Sequence, residues 1–384
     1  MMGLTSEDLV AALTTCTGEE VNGPGETVAL LRQSQPSLTA TVLSAWEVQG
    51  RELSPALQAE LDAKRARAGY YRSVGTTLMS KVPGLTSVKG LEILDLYPAG
   101  WTRQLNDLDL VAASEADLWL ACGHLIADGW EIDTATFSYF AGAVQVLASM
   151  RRPSEDPYDI PYGIELTTYC ALGNFGAISP LATLPEKWRV SAIKNIIMLL
   201  YERYEQPFRA RDLVDVVLLH DALRGSELAE LHRAVAALRL GVEYRELLTL
   251  VDRAGLGPLP AWPARPLAVA ATQALRLTRG ASYFLRPVAG AGRQLQRRMI
   301  TGELGRAGSR VWDAVQDRLP VPAAMSGGLL AFGLPLEGPP PSVPRTVLCR
   351  HGDLAWADTP VARFLLTIGD FVTEEQFNEI SGSN

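Results

Sequence analysis

The amino-acid sequence predicts an α+β fold, a small mixed β-sheet embedded in helical N- and C-terminal regions. Three observations predict it. Apolar residues recur at helical spacing through residues 1–80 and again from 186 onward. Between these stretches, residues 81–170 read in turn as strand, helix and strand. The 384 residues are 47 % hydrophobic and 20 % charged, globular values that supply a sizeable core.

The elements follow in chain order. Thr5, Ser6, Glu7 and Asp8 make a helix start before Leu9, Val10 and Leu13. Residues 54–68 continue with Leu57, Leu61 and a charged opposite face. Residues 107–111 alternate polar and apolar, a strand signature. Ser114 opens a helix with Leu118, Ala121, Cys122, Leu125 and Ile126 at helical spacing, closed by Asp128 and Gly129. Residues 134–146 fit either strand or helix, and 161–169 return to strand character. Apolar-periodic helices are expected over 188–204, 210–224 and 227–240. A proline-rich stretch with Pro258, Pro260, Pro263 and Pro266 then reads as a linker or surface strap. Beyond it, 345–349 and 363–368 are strand-like. This divides the chain into a helical N-terminal region (1–80), an α/β core (81–170), a helical region (171–255) and a Pro/Arg-rich helical and C-terminal region (256–384).

Charge and cysteine usage exclude some roles. The formal net charge is -8, from 35 basic and 43 acidic residues, which argues against coating long nucleic acid. Cys16, Cys122, Cys170 and Cys349 are widely spaced and form no CxxC. So few cysteines suit a reducing cytosol. Residues 1–20 carry no signal-peptide pattern, and the uncharged stretch 319–336 is broken by prolines and glycines. A soluble cytoplasmic protein is expected.

The chemistry-bearing residues lie between Lys89 and Glu165. Asp107 and Asp109, at i and i+2 on a strand, project to one face a few ångströms apart. Carboxylates that close repel unless a cation lies between them, so the pair suits a hard cation such as Mg2+ or Mn2+. A third carboxylate on a neighbouring strand would complete the site. Glu165, between apolar Ile164 and Leu166, is the best-placed candidate. Such a metal pair activates a hydroxyl and stabilises departing pyrophosphate. The plainer alternative is a solvated strand face.

Lys89-Gly90, Tyr97-Pro98, Arg103, then Asp107-Leu108-Asp109-Leu110-Val111 and Gly129-Trp130 together resemble the nucleotidyltransferase-fold superfamily, in its bacterial uncharacterised branch with Lys-Gly replacing the usual Gly-Ser. The resemblance covers about residues 80–225. It implies a nucleotidyltransferase-type sheet and metal-dependent transfer of an NMP from an NTP to an acceptor hydroxyl, with pyrophosphate release. It also implies that Asp107, Asp109 and Glu165 are catalytic and metal-binding, and that Lys89, Gly90 and Arg103 bind nucleotide. Asp212 and Asp215 match a later helix that carries an Arg and an Asp. Leu91 stands where a serine usually follows the glycine, which removes one phosphate contact. The alternative reading is a catalytically degenerate protein of the same fold that binds nucleotide or a partner, for example an accessory protein in a biosynthetic pathway.

Three further features stand outside that pattern. Arg276, Arg279, Arg286, Arg293, Arg297, Arg298, Arg306 and Arg310 are opposed only by Glu303. They make either a docking surface for an anionic partner or a solvated helix face. Cys349, His351 and Asp353 alternate along a strand but match no established metal-ligand spacing. His124, His220 and His232 fall on helices, where a partly buried or capping histidine is the simpler reading.

Overall fold

Thr5 caps the first helix, and helices then follow one another to residue 81. The computed structural model describes residues 4–156, 159–172, 180–203, 206–262, 330–351 and 354–368, with single residues 274, 321 and 325. The helices are α1 (Ser6–Thr17), α2 (Pro24–Ser34), α3 (Thr39–Val48) and α4 (Pro55–Lys81). The Thr5 side chain accepts from the Asp8 backbone while Asp8 returns a bond, and Gly18 closes α1 at φ 73°. Helix α4 runs well past the expected residue 68. Its second half holds Gly69 and Gly75, which weaken a helical signal. Gly75 is kept small by packing, because a Cβ there would lie 2.7 Å from Leu91.

Next come β1 (Leu85–Ser87), α5 (Gly90–Leu94), β2 (Leu108–Ala112), α6 (Glu115–Ala127), β3 (Glu131–Phe140), β4 (Ala143–Arg152) and β5 (Tyr162–Thr167). The ambiguous stretch 134–146 is resolved as a hairpin. Ala141 and Gly142, at φ 55° and 79°, form its two-residue turn between Phe140 and Ala143. Helices α7 (Ser191–Glu202), α8 (Ala210–Ala222), α9 (Glu227–Ala237) and α10 (Gly241–Arg253) follow, as the periodicity predicts for the first three. Strands β6 (Ala331–Pro335), β7 (Val347–His351), β8 (Leu354–Asp358) and β9 (Arg363–Thr367) close the described chain.

Among the described residues, nine strands form one mixed sheet in the order β1-β2-β5-β4-β3-β6-β9-β8-β7. The fold is therefore α+β, but the sheet is not small. The C-terminal region adds four strands, with Ala135 of β3 opposite Gly333 of β6. That sharing was invisible because β6 is five residues with a glycine and a proline.

The chain divides into two compact units that do not follow the four contiguous segments expected. A helical unit takes Met1–Thr76, Ser87–Leu108 and Leu184–Gln273, and a strand unit takes Thr77–Thr86, Asp109–Thr183 and Ala274–Asn384. In the helical unit, α3 is buried from Thr39 to Trp46 and α7 from Ala192 to Tyr201. Helices apolar on all sides belong in a core. In the strand unit, α6 packs Leu118, Trp119, Cys122 and Leu125 on β3, β4 and β5. Their buried face carries Phe137, Ala148, Met150, Ile164 and Leu166. Among the described residues, no helix is long and apolar enough to cross a membrane.

Candidate functional site

The site residues expected from sequence fall in both units, and each group is built by its own neighbours. In the strand unit, Asp109 alternates on β2 with buried Leu108 and Leu110. Glu165 alternates on β5 with buried Ile164 and Leu166. Both carboxylates therefore leave the side of their strand that is packed away, and both are half-exposed. A helix and a hairpin separate the two residues in sequence, yet β5 lies directly beside β2 in the sheet. The Thr167 hydroxyl donates 3.4 Å to the Leu110 carbonyl and 2.7 Å to that of Tyr169. On β4, Ser149 stands opposite Glu165.

In the helical unit, Lys89 and Gly90 form the turn into α5. Lys89 has φ 56° and ψ −103°, a conformation that costs a residue with a side chain about 1–3 kcal/mol. Gly90 is crowded, since a Cβ there would stand 3.0 Å from Leu105 Cδ2. One helix grips this turn. The Lys89 N–H donates to Asn195 Oδ1 at 2.5 Å. Lys194 Nζ donates to the Ser87 carbonyl at 2.8 Å and to Glu92 Oε1 at 2.6 Å. Asn195 Nδ2 and the Ser191 hydroxyl both donate to Glu92 Oε2, at 2.9 and 2.7 Å. The Lys89 ammonium reaches Glu202 on the same helix at 2.5 Å.

Arg103 is placed differently from the expectation. Its side chain is 4 % exposed and forks onto the fully buried Asp215 carboxylate, with Nε–Oδ1 3.0 Å and Nη2–Oδ2 2.7 Å. The Tyr97 hydroxyl donates to the same carboxylate at 2.6 Å. Its charge is matched inside the core, so the expected phosphate contact becomes a strut between the 95–107 loop and α8. Burial lowers the guanidinium pKa and Asp215 more than restores it, leaving the pKa raised. Burial first and Asp215 second push the Tyr97 phenol well above its usual range.

The same loop carries Asp107, which is exposed. Buried irregular backbone needs partners for its polar groups, and helices α3 and α4 supply them here. The Thr102 N–H donates to Ser44 Oγ at 2.8 Å, and Thr41 donates to the Thr102 carbonyl at 3.0 Å. The Tyr71 hydroxyl donates 2.6 Å to the Asn106 carbonyl, one residue before Asp107. Sequence reading missed Asn195, Tyr71 and this role of Asp215. Each is fully buried, and its partner lies far away in the sequence.

The remaining candidates are structural. Asp212 accepts from the Arg209 N–H and caps α8. Its carboxyl is pushed up to about 6, by burial first and then by Glu202. Gly129, at φ 84°, ends α6, and Trp130 is buried. His220 contacts the Tyr244 hydroxyl through Nε2 at 2.9 Å. His124 lies half-buried on α6 and His232 on α9. Cys349 and His351 lie on β7. Asp353 and the arginines from Arg276 to Arg310 lie outside the described residues.

Carboxylates are the donors a hard cation takes. Among the described residues, however, no group of three or more His, Cys, Asp or Glu side chains is gathered closely enough to hold a metal ion. Of the three carboxylates expected there, Asp107 is exposed on the loop before β2, while Asp109 and Glu165 lie on adjacent strands. No protein-family model matches the chain. Neither a curated protein nor a solved structure matches it. Fold and site therefore rest on the geometry of this chain.

Proposed function

We propose that this protein is a nucleotidyltransferase, moving a nucleoside monophosphate from an NTP to an acceptor hydroxyl. One observation carries the reading. The strand of Glu165 lies beside that of Asp109, with both carboxylates off the packed side of their strands. The strained Lys89-Gly90 turn adds support, because backbone strain persists where the surroundings enforce it and concentrates at functional positions.

In this reading Lys89 supplies charge, and Gly90 close backbone approach, to the phosphates. Glu165 takes the proton of the acceptor hydroxyl. The acceptor oxygen attacks the α-phosphorus, the bond to the β-phosphate oxygen breaks, and pyrophosphate leaves. Asp109 would take the Mg2+ that accompanies the NTP, which would offset the charge on the departing pyrophosphate.

A second reading, a binding protein of the same fold, is favoured by a different observation. Lys89 and Arg103 already have carboxylate partners in Glu202 and Asp215. One experiment separates the two. Binding of each of the four common NTPs is measured calorimetrically with and without Mg2+, for the parent and for Asp109→Asn and Glu165→Gln. A transferase is expected to bind an NTP more tightly with Mg2+ and to lose about tenfold or more of that affinity in Asp109→Asn. Glu165→Gln should keep NTP affinity within about tenfold and lose pyrophosphate release. Binding indifferent to Mg2+ and to both substitutions supports the binding protein. No NTP binding at all overturns the transferase and a nucleotide-binding role alike, and leaves the binding protein with a partner as its ligand.

A further inference from the structure

Helix α7 does more than cover the Lys89-Gly90 turn. Three of its side chains, Ser191, Lys194 and Asn195, reach both ends of one short segment. Lys194 holds the Ser87 carbonyl at 2.8 Å before the turn, and Asn195 holds the Lys89 N–H at 2.5 Å within it. Beyond the turn, all three hold Glu92, at distances of 2.6 to 2.9 Å. Asn195 is 0 % exposed and its amide is engaged at both ends. Its Oδ1 faces Lys89, while its Nδ2 donates to Glu92 Oε2 and to the Ser191 carbonyl, both at 2.9 Å. The orientation of the amide is thus fixed by Ser191 of α7 and Glu92 of α5.

Lys89 is where such a fixed acceptor matters. At φ 56° and ψ −103° it adopts a backbone conformation that glycine reaches without penalty and lysine does not. Gly90 follows it, so the cheaper arrangement would place glycine at 89. The chain keeps a lysine there and sets a buried amide against its N–H.

We infer that Asn195 is a positioning residue for the nucleotide turn, holding the Lys89 backbone in its left-handed conformation so that the Gly90 backbone can approach the phosphates. The inference rests on the transferase reading and adds to it a residue more than one hundred positions away in sequence. It requires that the work of Asn195 depends on what occupies position 89. Where glycine stands at 89, the left-handed backbone needs no hold.

The test is a double-mutant cycle of Asn195→Ala and Lys89→Gly on the full chain. Two readouts are taken, affinity for Mg2+-NTP by calorimetry and amide hydrogen exchange over residues 85–95. Asn195→Ala alone should weaken NTP binding about tenfold and speed exchange at the turn. In the Lys89→Gly background the same change should move affinity less than about twofold. Urea unfolding, run in parallel, confirms that every variant is folded at the binding temperature. Equal losses in both backgrounds overturn the inference, since Asn195 would then act on the core and not on the Lys89 backbone. Unchanged exchange in Asn195→Ala also overturns it. Should the parent bind no NTP, the transferase reading falls and this inference falls with it. Should the parent bind and Asn195→Ala bind equally well, only the inference falls.

Discussion

Arg103 sits in the interior of the helical unit, with its side chain away from solvent. Its charge is placed in a fully buried two-pronged pair with Asp215. Removing one member of such a pair leaves the other charge buried and unmatched, at a cost of about 3–5 kcal/mol. Arg103→Met or Asp215→Leu alone should therefore lower urea-unfolding stability by that amount, whereas the double substitution should recover most of it. If each single change costs under about 1 kcal/mol, the pair is not the strut described.

His220 gives a second residue-scale prediction, this time in pH. Burial, and then neighbouring His232, lowers its pKa from 6.5 to about 4 in the folded protein. Between those values the unfolded chain carries a proton that the folded chain lacks. His220 therefore withdraws stability as pH falls from about 6.5 toward 4, by about 3 kcal/mol at most. Asp212 acts in the opposite sense. Its carboxyl is raised from 3.8 to about 6, so the folded chain holds the extra proton between those values and gains stability as pH falls through 6. His220→Gln should remove the falling component and leave the rising one, measured as urea midpoints at fixed pH from 7 down to 4. A variant that follows the parent curve would show that His220 is not held neutral.

Among the elements, those whose apolar residues recur at a regular spacing were mostly legible, although α10 lies beyond the last helix expected. Helix α6, strands β2 and β5 and helices α7 to α9 each carry the periodicity that names them. Helix α3 is buried all round and leaves no polar stripe to read. The β3–β4 hairpin hid because Ala141-Gly142 is not a favoured turn pair, although it adopts the favoured turn geometry. Ala141 bears a Cβ in the left-handed region, so Ala141→Asn, which restores the preferred pair, should add about 0.5–1 kcal/mol. A thermal midpoint unchanged or lowered would mean the turn is not left-handed at 141. For the candidate site, the acidic pair, Glu165 and the Lys-Gly turn could be found from residue type and spacing. Asn195, Tyr71 and the buried pairing of Asp215 could not, because these roles depend on contacts between segments far apart in the chain.

At the scale of the whole molecule, each of the two units is assembled from three separate stretches of the chain. The helical unit needs residues from before 76 and from after 184, and the strand unit needs residues on both sides of 184–273. No contiguous half of the chain contains either unit. A fragment ending at residue 183 carries α1 to α5 but lacks α7 and α8, which hold Lys89 and Arg103. It should show no cooperative urea transition in its helical signal, and a sharp one would mean that α1 to α5 form a core alone.

The pairing of β3 with β6 also has a consequence in time. Ala135 and Gly333 are neighbours in the finished sheet but leave the ribosome almost two hundred residues apart. At about 5–20 residues per second, β3 waits roughly 10–40 s for the strand that covers its outer edge. Throughout that interval the nascent chain offers a bare strand edge to its surroundings, which is the form in which strands recruit one another into aggregates. Holding that edge until β6 is made falls to whatever meets the chain during synthesis, so production of this protein is expected to depend more on chaperone supply than its finished stability would suggest.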